Sequence, residues 1–252
     1  MRETDYVSGF ARGLKVIDAF GETTRRLSIA DVARATGLDR ATCRRSLLTL
    51  VELGYATYDG KFFALTPKVL RLGHAYLSTT PLPHTVQPFL DKLSEDVQQS
   101  ASASVLDGTE IVYIARAAQK RVMSINLSPG SRLPAYCASM GRVLLAALPS
   151  DEAKALLDQT NIKALTPHTI TDKQALMDEL ARVREQGYAV MDQELELGLR
   201  SIAVPLENDR GKVVAALNVG APAARVSAGD LARQYLPALQ AIAEKLKPLL
   251  HT

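Results

Sequence analysis

The chain has 252 residues, of which 47% are hydrophobic, 5% aromatic and 23% charged. That balance excludes a disordered tail, a collagen and a coiled-coil rod. The length exceeds the roughly 100 to 150 residues of a usual domain, so two domains are expected. Thirty Lys and Arg against 27 Asp and Glu leave +3, too small a sum to indicate a nucleic-acid partner by itself. No apolar run approaches the roughly 20 residues of a membrane span, and the start MRETDYVSGF is too polar for a secretory signal. A cytoplasmic protein without a membrane partner is expected.

The charge is unevenly spread. The first 80 residues hold 12 basic and 8 acidic side chains and the rest hold 18 and 19, which is +4 against −1. Between Arg25 and Arg45, six arginines face only Asp31 and Asp39. A basic module on a near-neutral body is the electrostatic footprint of a DNA-binding protein, although a solvated helical face has the same composition.

Patterning decides between them. Leu14, Val16, Ile17 and Phe20 predict a first helix from Arg12 to about Gly21. Ser28 and Asp31 form a capping box for a short second helix, and Gly37 supplies the turn to a third, which Asp39 caps and which runs from Arg40 to about Leu53. Two short helices around a Gly turn read as a helix-turn-helix. On the third helix, Cys43, Leu47, Leu50 and Val51 cluster on one side, whereas Ala41, Thr42, Arg45 and Thr49 point the other way. Arg45 can bond guanine in a major groove, Thr42 an edge or phosphate, and Ala41 a thymine methyl, while Arg40 and Arg44 contact phosphates. Tyr55–Tyr58 and Phe62–Leu65 around Asp59-Gly60 predict a hairpin with a two-residue turn, the wing, with Lys61 beside its tip. The expected DNA-contacting set is Ser28, Arg40, Ala41, Thr42, Arg44, Arg45, Thr49 and Lys61, in a winged helix-turn-helix domain over 1–67.

Thr66-Pro67 opens a helix that ends before Thr79-Thr80-Pro81-Leu82-Pro83, where two prolines predict a stiff joint, so 68–83 reads as a linker. The segment 84–252 continues with a helix from Thr85 to about Gln99, a hairpin (Ser100–Leu106, Glu110–Ala115) and a strand candidate at Val122–Leu127. A small-residue stretch, Ala135–Gly141, runs into a helix from Arg142, and Ser150 is expected to cap the next. A helix over Thr171–Gln186, strands at Tyr188–Met191, Arg200–Leu206 and Lys212–Val219, and a closing helix Asp230–Leu250 complete an α+β chain whose larger domain has a mainly antiparallel sheet.

Catalytic patterns are lacking. The four histidines share no ligand spacing, and Cys43 and Cys137 form neither a disulfide framework nor a zinc site, so no metal and no cofactor are expected. Ser139 lacks the glycine two residues before it that a nucleophile elbow needs, so the chain reads as no enzyme. The helix start near Ser139 and Met140 offers backbone amides that could hold a carboxylate; close helix-sheet packing would equally favour small residues there.

The order of these pieces, with Gly187-Tyr188 and Glu196-Leu197-Gly198-Leu199-Arg200-Ser201-Ile202-Ala203-Val204-Pro205 as its most specific element, resembles the IclR family of bacterial transcriptional regulators. The stretch Arg132–Ala146 is similar to the subgroup that controls β-ketoadipate pathway genes. The resemblance implies a GAF-like effector domain whose pocket walls include Val122, Ile125, Leu133, Ser139, Met140, Leu199, Ser201, Asn218 and Gly220. Strand alternation agrees, since Leu199 and Ser201 share a face, as do Asn218 and Gly220. It further implies 4-hydroxybenzoate, protocatechuate, β-ketoadipate or a related small organic acid as effector, and a homodimer or dimer of dimers on palindromic double-stranded operator DNA. The alternative is a constitutive DNA-binding protein whose large domain only oligomerises.

Overall fold

A computed structural model describes residues 5–21, 24–119 and 127–250. Its contacts divide the chain into two compact units, residues 1–79 and 80–252.

In the first unit, α1 (Ser8–Ile17) starts earlier than its apolar pattern predicted, because the amphipathic face extends back through exposed Phe10. The Ser28 hydroxyl accepts from the Asp31 amide while the Asp31 carboxylate accepts from the Ser28 amide, closing the capping box of α2 (Ile29–Thr36). Gly37 ends that helix at φ +70°, a left-handed conformation that costs glycine little. Asp39 then accepts from the Thr42 amide at 2.8 Å and starts α3 (Arg40–Glu52). Val16, Val32, Cys43, Leu47 and Phe63 form the core of this unit.

The wing strands β1 (Ala56–Tyr58) and β2 (Phe63–Leu65) pair with Tyr58 opposite Phe63. The connection is therefore four residues, Asp59–Phe62, and not the expected two-residue turn. The cause is local: Asp59 Oδ1 accepts from the amides of Lys61 (3.0 Å) and Phe62 (2.8 Å), a side-chain-closed turn that outcompetes the tight hairpin. After a 3-10 turn at Pro67–Val69, α4 (Leu70–Thr79) leaves Leu70, Leu72 and Tyr76 exposed.

The second unit opens with α5 (Pro81–Val97), which corrects the later helix start expected at Thr85; Thr80 separates it from the end of α4 at Thr79. Pro81 and Pro83 sit in the first turn, where an amide hydrogen would have no partner within the helix. A six-stranded antiparallel sheet follows, in the order β5-β4-β3-β8-β7-β6. Its strands are β3 (Ser100–Asp107), β4 (Glu110–Ala117), β5 (Arg132–Pro134), β6 (Ala189–Asp192), β7 (Leu199–Glu207) and β8 (Val213–Pro222). The strand expected at Val122–Leu127 lies outside the described residues apart from Leu127.

Helices cover both faces of the sheet, as the runs of consecutive buried residues in β3, β7 and β8 require. One face, carrying Ala101, Ala103, Ile202, Val204, Leu217 and Val219, packs on α5 and α9 (Ala228–Leu246). The other, carrying Ile111, Ala203 and Ala216, packs on α6 (Ser139–Ala147), with α8 (Lys173–Gln186) behind it. The helix predicted from Arg142 thus begins three residues earlier. The helix α7 (Ser150–Gln159) takes Pro149 as its N-cap and Ser150 as its first residue, so Ser150 supplies no cap bond. On β4 the register shifts between the pairs Ala103–Ala115 and Ser104–Tyr113, leaving Ile114 as an extra bulged residue.

Candidate functional site

The outward face of α3 is built by its own periodicity. Ala41, Arg44, Arg45 and Thr49 are exposed, as is Arg40 at the first turn. No carboxylate lies within ion-pair distance of Arg40, Arg44 or Arg45 among the described residues, so their charges are available to a polyanion. Thr42 departs from the expected set: it is buried at the first turn and its hydroxyl accepts from Arg45 Nη2 at 3.4 Å. That contact steadies Arg45 instead of offering Thr42 to a groove. Ser28 is half-buried with its hydroxyl given to Asp31 in both directions, so its role is the cap. On the wing, Lys61 is exposed with Nζ 5.1 Å from the Phe62 ring centre, and Arg26 pairs with Asp59.

In the second unit, a cavity opens where the sheet meets the start of α6. Every strand of the sheet contributes to it: Ser100 from β3, Tyr113 and Arg116 from β4, Leu133 from β5, Met191 from β6, Leu199 and Ser201 from β7, and Asn218 and Gly220 from β8. Ala138, Ser139 and Met140 close it from the helix side. The register aligns Ser100, Gly220, Ser201 and Met191 in one row, and Arg116, Ser102 and Asn218 in the next. Of the walls expected from the sequence, Leu133, Ser139, Met140, Leu199, Ser201, Asn218 and Gly220 are brought together here. Val122 and Ile125 lie outside the described residues.

Helix and sheet meet closely at this point. A Cβ on Gly141 would lie 2.2 Å from the Ala135 carbonyl oxygen, so only glycine lets α6 cross the preceding turn. Ser201 Oγ donates to Ser139 Oγ at 2.9 Å, tying the first residue of α6 to β7. Close packing therefore accounts for Gly141, while Ser139 and Met140 do face the cavity.

The charged group that the sequence reading missed is Arg116. Its Nη1 donates to Ser102 Oγ at 2.8 Å, and no carboxylate pairs with it among the described residues. Burial pulls its pKa below the ordinary arginine value. Beside it, burial pushes the Tyr113 hydroxyl up to about 12, and burial with the nearby Glu194 charge does the same for the Cys137 thiol. Both groups are therefore neutral at pH 7. Simple alternation puts Arg116 opposite Tyr113; the bulge at Ile114 shifts the phase and turns both into the cavity. A run of apolar residues ending in a lone arginine was the available signal.

Glu194 and Leu195, from the loop after β6, line the remaining wall. Behind Glu194 lies Arg142, which is 1% exposed. Its Nη2 is 2.7 Å from Glu194 Oε2, its Nη1 3.5 Å from Glu179 Oε1, and its Nε donates to the Tyr136 carbonyl at 3.0 Å. Arg182 pairs with Glu179 on the outer side, so the two arginines and two glutamates balance. No cluster of His, Cys, Asp and Glu among the described residues could hold a metal ion.

Known proteins agree with this architecture. Residues 10–60 match the profile described as IclR helix-turn-helix domain, and residues 74–247 match the one described as bacterial transcriptional regulator IclR C-terminal. The Pca regulon regulatory protein of Pseudomonas putida is 48% identical over 97% of this chain and 84% of its own. A Rhodococcus sp. RHA1 crystal structure is 50% identical and superposes with a TM-score of 0.81 over 96% of this chain and 97% of its own. The inducer-binding domain of a double mutant of the PobR transcription factor from Acinetobacter, solved with 3-hydroxybenzoic acid, is 36% identical, with a TM-score of 0.63 over 67% of this chain and 98% of its own.

Proposed function

The chain belongs to the IclR family of bacterial transcriptional regulators, and on that premise we propose that it governs aromatic-acid catabolism genes in the cytoplasm by binding an aromatic carboxylate beside Arg116. One observation carries this reading: Arg116 is a half-buried cation without a carboxylate partner among the described residues, facing a cavity whose single anion, Glu194, is already paired with Arg142. A carboxylate ligand would complete it with a charge-assisted, two-pronged contact. The neutral Tyr113 hydroxyl, the Asn218 amide and the start of α6 surround that position with further polar groups. The relative solved with 3-hydroxybenzoic acid supports the same ligand class.

Residues 1–67 then form the DNA-binding domain, 68–83 the connection and 84–252 the effector and oligomerisation domain. Arg45 reads base edges, Arg40, Arg44 and Lys61 hold phosphates, and Ala41 and Thr49 complete the helix surface. Exposed Phe10, Leu14, Leu53 and Leu72 border an apolar groove in the first unit that a second copy would cover, giving a two-fold dimer on a palindromic operator. A dimer of dimers would use the larger domain. Effector and operator affinities are linked reciprocally, each changing the other by the same factor.

The test is thermal melting and calorimetric titration of the full chain with benzoate and its hydroxylated derivatives, repeated on Arg116→Met. Binding must raise the melting midpoint of the wild type, and the substitution should weaken it about 100-fold. Unchanged affinity in the variant would move the ligand elsewhere. A melt that no acid shifts would replace the sensor with a constitutive DNA-binding protein.

A further inference from the structure

We propose that Gln87, on α5, is a positioning residue for Arg116: its side-chain amide locks the β4 bulge that turns Arg116 into the cavity, and thereby ties cavity occupancy to α5. This role rests on the placement of the ligand carboxylate at Arg116.

The outer edge of β4 changes its cover along the strand. β5 pairs with it only over Glu110–Val112. At Tyr113 a loop takes over: the Tyr113 amide donates to the Ser131 carbonyl at 3.0 Å, and the Tyr113 carbonyl accepts from the Gly130 amide at 2.8 Å. Past the bulge a side chain stands in for a strand. The Arg116 amide donates to Gln87 Oε1 at 3.2 Å, and the Arg116 carbonyl accepts from Gln87 Nε2 at 3.2 Å. One amide group thus supplies both bonds that a neighbouring strand would make to this residue.

Those bonds fix which way the strand faces. With Ile114 as the extra residue, Arg116 stands opposite Ser102 and shares the cavity face. If the extra residue slid beyond Arg116, Arg116 would stand opposite Ala101, whose side chain belongs to the core against α5 and α9. Its amide and carbonyl would then turn inward to β3. Gln87 holds both groups outward and so excludes that register.

The clamp is itself oriented. Gln87 Nε2 also donates to Asp91 Oδ1 at 2.8 Å, one turn further along α5, so both amide hydrogens are used and the oxygen is left to the Arg116 amide. At the other end of the residue, Arg116 Nη1 donates to Ser102 Oγ at 2.8 Å. Arg116 is therefore gripped at its main chain by α5 and at its head by β3. A carboxylate that bonds the head acts on a strand segment bonded to α5, the first helix of the second unit, which begins a single residue after α4. Acid affinity and the placement of α5 are then linked in both directions.

The experiment titrates the full chain calorimetrically with benzoate, 3-hydroxybenzoate and 4-hydroxybenzoate, as wild type, Gln87→Met, Arg116→Met and the double variant. Methionine keeps the length of glutamine and neither of its polar atoms. In the wild-type background, Gln87→Met should weaken the tightest-binding acid about 10-fold, as the loss of one or two hydrogen bonds provides. In the Arg116→Met background the same change should alter the residual affinity less than about twofold, because no cation is left to aim. An equal loss in both backgrounds is the signature of a merely structural role and would overturn the assignment. The factor by which saturating acid changes operator affinity should also shrink in Gln87→Met, and a wild-type factor would cut the link to α5. Should Gln87→Met fail to fold, Asp91→Ala frees the amide from an exposed site; acid affinity should then fall about threefold, and an unchanged value would overturn the clamp. If no acid binds the wild type, the Arg116 placement itself falls and takes this role with it. Acid that binds wild type and Gln87→Met alike is a distinct outcome, which removes Gln87 alone.

Discussion

The recognition helix and the effector cavity are assembled on opposite principles. The exposed face of α3 draws Ala41, Arg44, Arg45 and Thr49 from one continuous segment, set by helix periodicity and by the Asp39 cap. The cavity takes side chains from all six strands and from α6, from Ser100 to Gly220 along the chain. A helix face can meet a groove because DNA presents a regular outer surface and a repeated charge. A small acid has to be enclosed, and enclosure demands that distant segments converge. Substitutions in the first region should therefore act one at a time, whereas those in the second should propagate.

The largest effect is expected at Arg142→Ala. Removing the cation leaves Glu194 buried without its ion-pair partner, while Glu179 keeps Arg182, and this should cost about 3 to 5 kcal/mol in denaturant unfolding of the larger unit. A loss under 1 kcal/mol would show that this network does not bind the unit together. Next is Arg116→Met, expected to lose roughly 3 kcal/mol of acid binding, a hundredfold, while stability holds or rises, because it removes an unpaired, partly buried charge. A fall in both together would make Arg116 structural.

On the DNA side the effects should be smaller and separable. Arg45→Ala should cost about 1 to 3 kcal/mol of operator affinity and relax the sequence preference, whereas Lys61→Ala should weaken all sequences alike and lower the salt dependence by about one phosphate contact. Binding assays on operator and scrambled duplexes distinguish them; identical losses on both duplexes in Arg45→Ala would remove α3 from base reading.

The smallest effect concerns acid. Hydrogen bonds from Ser28 hold Asp31 below its ordinary carboxylate pKa, and the Thr42 amide does the same for Asp39. With folded values lower than unfolded ones, both caps contribute fully above about pH 4 and are lost as pH falls through the folded values. Helical signal followed from pH 5 to pH 2 should drop at a higher pH in wild type than in Asp31→Asn/Asp39→Asn, once each is normalised to its own neutral-pH stability. Superimposable curves would remove the caps from the acid response.

What proved legible in the sequence was local. Ser28, Asp31, Gly37 and Asp39 act within four residues of their targets, so spacing alone was enough to place α2 and α3. Alternation likewise put Leu199 with Ser201, and Asn218 with Gly220, on one face of the sheet. Local competition misled where two short-range solutions were close in energy, as in the Asp59 turn and the prolines that begin α5.

By itself, then, the sequence determined the winged helix, the basic face that carries Arg40, Arg44 and Arg45, and the sidedness of the long strands, because helix caps and period-two patterns are properties of neighbouring residues. Tertiary structure alone decided that Thr42 is buried, that the bulge at Ile114 turns Arg116 into the cavity, and that Arg142 reaches Glu194 across 52 positions of chain. Strand register and buried charge pairing depend on which segments meet, and nothing in a single stretch of residues records that meeting.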